Sequence, residues 1–142
     1  MSDNSRFTVA IHILTLLAYC DPNRITSEYI AGSVNTNPVV IRRILGLLRN
    51  KGIVTSIGGP GGGWVLEMPA KKITLKDVYR VIDNNNTFFQ MHPNTPNHLC
   101  DVGDKIEDVL EKYFNEAQKT LEKKLNNTTI EDLVTAIKKE IA

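Results

Sequence analysis

The sequence predicts a mainly α protein with a small β-wing, a winged helix-turn-helix followed by a long C-terminal dimerisation helix. Three observations carry this reading. Residues 38 to 50 keep one apolar stripe at helical spacing and place arginines on the other faces. A glycine tip, Gly58 to Gly63 around Pro60, then separates two short β-rich segments. Further on, residues 104 to 125 hold apolar spacing for more than five helical turns.

In chain order, residues 5 to 20 form the first helix. Phe7, Ala10, Ile11, Leu14, Leu17 and Ala18 share one face, and Val9, Ile13 and Leu16 widen it. A helix apolar nearly all round is buried on two sides. Asp21-Pro22-Asn23 ends it, and Thr26 or Ser27 caps a short helix carrying Tyr29, Ile30 and Val34. Asn35 to Pro38 make a tight turn into the third helix, where Asn37 can cap and Pro38 takes the first helical position, at which its missing N–H costs nothing. There Ile41, Ile44, Leu45 and Leu48 recur as the buried stripe, while Val39, Arg43, Gly46 and Asn50 face away with Arg42 and Arg49 on the flank.

Gly52 stops this helix. The segments Ile53 to Ile57 and Trp64 to Leu66 become the wing strands. Helix, turn, helix at this spacing is a DNA-reading unit. A glycine-rich loop could also cradle a nucleotide, but a P-loop opens a helix and ends in Lys-Ser or Lys-Thr, whereas here Trp64 and a strand follow.

After the wing, Thr74 to Asp77 is a capping pattern that opens a helix through about Ile82. Asp83 to Gly103 is polar, contains prolines and fits no regular element. From Asp104 the long helix carries Ile106, Val109, Leu110, Tyr113, Phe114, Ala117, Leu121 and Leu125. Its stripe needs more cover than the chain supplies, which predicts a two-fold dimer built on this helix. Thr128 to Glu131 reads as a capping box for a last helix bearing Ile130, Leu133, Val134 and Ile137. The chain thus divides into a DNA-binding domain at 1–82, an irregular loop and candidate sensor region at 83–103, and the dimerisation and C-terminal helices at 104–142.

The net charge of the 142 residues is only +1, but its distribution is uneven. Residues 1–65 hold six bases against three acids, +3, and the remainder eleven against thirteen, −2. The positive surface therefore lies with the third helix. No secretory signal or membrane-length apolar run is visible, so the chain is expected in the cytoplasm and off the membrane. Two cysteines, Cys20 and Cys100, do not make a disulfide framework in a reducing compartment.

On this reading Arg43 reads a base edge, and Val39 and Val40 meet thymine methyls near the helix start, beside Asn37. Arg42, Arg49 and Lys51 hold phosphates, which position the protein without reading sequence. Gly59, Gly61 and Gly62 offer backbone contacts from the wing. In the irregular loop, His92, His98 and Cys100 have the types for a zinc or ferrous ion but want a fourth ligand, so they read as solvated loop residues. Cys100, near the positive end of the long helix, is a candidate redox sensor, whereas Cys20 reads as a small buried hydrophobe. Phe88, Phe89 and Met91 either line an effector pocket or tether the loop. Glu107 with Glu111 and Asp104 with Asp108 alternate with Lys105 and Lys112 as a solvated face, and no catalytic constellation emerges, so the chain is not read as an enzyme.

Taken together, Ile25 to Ala31, Leu48 to Val54, the wing Gly59-Pro-Gly-Gly-Gly-Trp64 and Ile73 to Val78 resemble the Rrf-two family of winged helix-turn-helix transcriptional regulators over the whole chain. Cys100 to Asp104 is most similar to its YwnA-like branch. The resemblance implies a bacterial homodimer with crossed long helices, binding double-stranded DNA at an inverted repeat, usually as a repressor. Cluster-binding members carry three cysteines in the loop before the long helix, where this chain has only Cys100, so no iron–sulfur cofactor is expected. Related regulators often place an arginine at the wing, where this sequence has Gly58. No effector is specified. The alternative, a winged-helix protein-interaction module without a DNA target, draws its best support from the near-neutral charge and a wing without arginine.

Overall fold

A computed structural model describes residues 3–83 and 87–142, so residues 84–86 of the irregular stretch lie outside it. Among the described residues the chain forms α1 (Asp3–Cys20), α2 (Ser27–Val34), α3 (Pro38–Asn50), β1 (Val54–Ile57), β2 (Gly63–Leu66), a 3-10 turn at Ala70–Lys72, α4 (Leu75–Ile82), α5 (Asp101–Leu125) and α6 (Ile130–Ile141). The strands pair antiparallel, Val54 opposite Leu66 and Ile57 opposite Gly63.

The centre of the fold is α1. It packs against α2, α3, α4, α6 and β2, and Ala10, Ile13, Leu14 and Leu17 are buried. Most of its apolar surface is therefore covered within the chain, while Tyr19 stays exposed. The stripe predicted on α3 is buried as a set, and Ile41, Ile44, Leu45 and Leu48 join Ile30, Ile53, Val54, Ile73, Val78 and Ile82 in one core. Truncating any of these α3 residues to alanine would cost about 2–5 kcal/mol.

Local signals set the boundaries. Thr26 is the cap of α2 and accepts from Tyr29 N at 3.1 Å, which decides between Thr26 and Ser27. Thr74 and Asp77 cap α4 reciprocally, as predicted. The last capping box sits one residue later than expected, on Thr129 and Asp132 instead of Thr128 and Glu131. The reason is tertiary: Thr128 O accepts from Leu75 N at 2.9 Å and Ile130 N donates to Ile73 O at 2.9 Å, locking the start of α6 onto the start of α4. That lock places Ile130 in the same core as α1 and α3.

The long helix begins at Asp101, three residues before the expected Asp104, with Cys100 as its cap residue. Its main partner in the chain is α4. Gln118, buried on α5, donates to Tyr79 Oη at 3.3 Å and accepts from Phe88 N at 2.8 Å, so one amide joins α4, α5 and the loop. Burial pushes the Tyr79 phenol up to about 12. Arg80 on α4 also pairs with Glu122 on α5 at 2.8 Å. Phe89 stacks on Phe114, with centroids 4.8 Å apart, so it tethers the loop to the helix. Yet Val102, Val109 and Tyr113 remain exposed along α5.

Candidate nucleic-acid interface

The outer face of α3 is built from its cap outward. Asn37 Oδ1 accepts from Val39 N at 2.8 Å, satisfying one of the amides that a helix start leaves unpaired. Its side-chain oxygen is therefore already engaged in shaping the helix start. Val39 is exposed, whereas Val40 is half-buried against the core, which leaves Val39 as the outward valine.

The cations on and after α3 differ in their engagement. Arg43 is exposed and forms no ion pair among the described residues. Arg42 donates to Glu28 Oε1 at 2.9 Å across α2 and α3. The Glu28 carboxyl is held below its ordinary range, first by its own backbone amide and then by Arg42. The Arg49 guanidinium lies 5.5 Å from the Trp64 ring centroid, bracing the end of the helix on the wing through a cation–π contact. Lys51 is exposed at the C-cap of α3.

The wing tip is held by backbone geometry. Gly62 N donates to Gly59 O at 3.0 Å, and Gly59 and Gly61 have φ of 79° and 73°. A Cβ on Gly62 would stand 2.2 Å from Ile57 O, so the turn closes only with glycine there. Gly58 has nothing within 4 Å of its Cβ position and is not constrained. Trp64 Nε1 donates to Ser27 Oγ at 3.2 Å, tying the wing to α2.

The segment before α2 also joins the wing. Ile25 and Trp64 exchange backbone hydrogen bonds of 3.1 and 2.8 Å, and Arg24 Nη1 reaches to 3.5 Å from Gly61 O. Sequence reasoning did not place Arg24 beside the wing. Its position depends on pairing between segments 39 residues apart, from 25 to 64, for which local pattern carries no signal. Tyr29, exposed on α2, is a second aromatic group on the surface of this unit.

Residues 3–136 match the Rrf2 family, described as iron-dependent transcriptional regulators. The chain belongs to the Rrf2 (Rrf-two) family. A relative described as an HTH-type transcriptional regulator, YwnA of Bacillus subtilis, is 41% identical over 131 residues, covering 92% of this chain and 96% of YwnA. A crystal structure of a protein described as DNA-binding has 37% identity and a TM-score of 0.69, covering 90% of this chain and 97% of that one. CymR of B. subtilis, described as the global cysteine regulator, has a TM-score of 0.71 at 23% identity with 96% of each chain covered, a likeness of fold. The chain is thus a transcriptional regulator with winged-helix architecture, and no enzymatic family is indicated.

The iron in the family's description has a weak foothold in this member. His92, His98 and Cys100 are exposed, and among the described residues no three His, Cys, Asp or Glu side chains converge as a ligand set. Cys20 lies at the far end of α1, half-buried. These donors do not fit a cluster, which needs about four soft ligands. Among the described residues no helix is long and apolar enough to cross a membrane.

Proposed function

We propose that the chain is a sequence-specific regulator that binds an inverted-repeat operator in double-stranded DNA as a homodimer, acting as a repressor in the bacterial cytoplasm. The observation that supports it best is the outer face of α3, where exposed Arg43 and Val39 stand clear of the core on a helix braced by the wing. A guanidinium and a small apolar group on one slim helix suit guanine edges and thymine methyls in a major groove.

Two apolar surfaces support the homodimer. One is the α5 stripe, where Val102, Val109 and Tyr113 are 68%, 48% and 66% exposed. The other is a groove of about 630 Å³ between α1 and α6, lined by residues including Ile11, Leu16, Tyr19, Leu133 and Ile137. A second copy is the occupant that would cover both at once, and a two-fold axis would set the recognition helices about 34–36 Å apart on successive major grooves.

Selection of bound fragments from genomic DNA by the purified protein tests the reading. The expected result is enrichment of a pseudo-palindrome upstream of regulated genes, with a retarded complex in gel shifts. A dimeric protein that retards no duplex even at low salt would favour the protein-interaction module instead.

A further inference from the structure

The wing itself carries no charge: from Ile53 to Leu66 there is no Lys, Arg, Asp or Glu. A neutral tip touching a polyanion would contribute little attraction, because phosphate binding draws its strength from counterions released by protein cations. The structure brings a cation to the tip from elsewhere. Arg24 precedes α2, yet its side chain ends 3.5 Å from Gly61 O.

Three features fix it there. The exchange of hydrogen bonds between Ile25 and Trp64 makes this segment a neighbour of β2 on the side opposite β1. Gly63 permits that approach, since its φ is 151° and a Cβ would stand 2.8 Å from Ile25 O. The ring of Trp64 is anchored to Ser27. The arginine is thus carried on a segment locked to the wing.

Its electrostatic state differs from that of its neighbours. Arg42 spends its charge on Glu28, and Arg49 lies over Trp64. Arg24 is exposed and has no acidic partner among the described residues. At 3.5 Å its bond to Gly61 O is at the outer limit of hydrogen bonding, a tether that an incoming anion displaces at little cost.

Resting on the DNA-binding reading above, we infer that Arg24 is the cation of the wing and holds a backbone phosphate beside the glycine tip. It positions the wing and reads no base.

The test measures binding of the full chain by fluorescence anisotropy across a salt series. The probes are a duplex recovered by genomic selection and a random-sequence duplex of equal length. Arg24→Ala should weaken both by the same factor and flatten the slope of log affinity against log salt by about 0.9 for each copy of the chain on the duplex. Arg24→Lys should keep the wild-type slope. Arg24 is exposed, so the alanine variant removes no core packing. Wild-type slope and affinity in Arg24→Ala, while the wild type binds, would overturn the assignment and leave the DNA-binding reading standing. A loss confined to the selected duplex would overturn it too, making Arg24 a base reader. A wild type that binds neither duplex would sink both.

Discussion

Arg42 on α3 and Glu28 on α2 form an ion pair of 2.9 Å on the surface that we assign to DNA. Arginine at this position is therefore not simply a phosphate hand, because a carboxylate already occupies it. An exposed pair of this kind contributes little to stability. Its consequence is electrostatic: the chain carries one fewer uncompensated cation on this face. Glu28→Gln should tighten binding to any duplex at low salt and steepen the salt dependence, with little change in melting temperature. The sign with pH follows from the lowered carboxyl: the pairing is present at neutral pH and is lost only as pH falls through that depressed value. Identical salt series for Glu28→Gln and wild type would show that Arg42 contributes nothing to the field at the duplex.

Arg43 should behave differently, because it is exposed and has no ion pair among the described residues. Arg43→Ala is expected to lose about 1–3 kcal/mol of discrimination at one base pair of each half-site. Competition between the selected site and single-base variants measures this. Equal losses on selected and random duplexes would remove Arg43 from the base-reading role.

The wing glycines separate into two kinds. Gly58→Arg meets open space and should leave the fold intact while adding a cation, steepening the salt slope by up to about 0.9 for each copy bound. Gly62→Ala forces a methyl to within 2.2 Å of Ile57 O and should destabilise the wing by about 1–3 kcal/mol. Thermal melts compare the pair. Equal tolerance of both substitutions would mean that the tip rearranges without cost.

Tyr113 is 66% exposed on α5, so replacing it takes little from the packing of one chain. Tyr113→Asp should shift sedimentation from dimer to monomer and abolish high-affinity operator binding, while the circular dichroism spectrum keeps its helical shape. A charge at a buried apolar interface is expensive, which makes the variant a sharp probe. An unchanged sedimentation coefficient would remove Tyr113 from any contact between copies of the chain.

Much of this molecule was legible in its sequence because the signals were local. Asn37 and Pro38 announced the start of α3, the stripe Ile41, Ile44, Leu45 and Leu48 its buried face, and Thr74 with Asp77 the start of α4. Periodicity also finds α5 from Asp104, three residues inside its start at Asp101. Val102 continues the helical spacing of Ile106 and Val109, but the glycine beside it, Gly103, reads as a break.

What local pattern missed were pairings between distant segments. The capping box of α6 falls on Thr129 because the backbone beside Thr128 and Ile130 is claimed by Leu75 and Ile73. Likewise Val40 turns toward the core while Val39 does not, and Arg42 is met by Glu28.

The sequence by itself determined the winged helix-turn-helix, its order of helix, strand, glycine tip and strand, and the family to which the chain belongs. Those features depend on the side chains and backbone freedom of neighbouring residues. Only the tertiary structure decided which cations remain available to a polyanion. A guanidinium's charge is written in the chain, but whether a carboxylate, an indole or open solvent stands beside it depends on how segments far apart in sequence come together. By that measure Arg42 is paired, Arg49 rests on Trp64, and Arg24 stands at a wing that has no charge of its own.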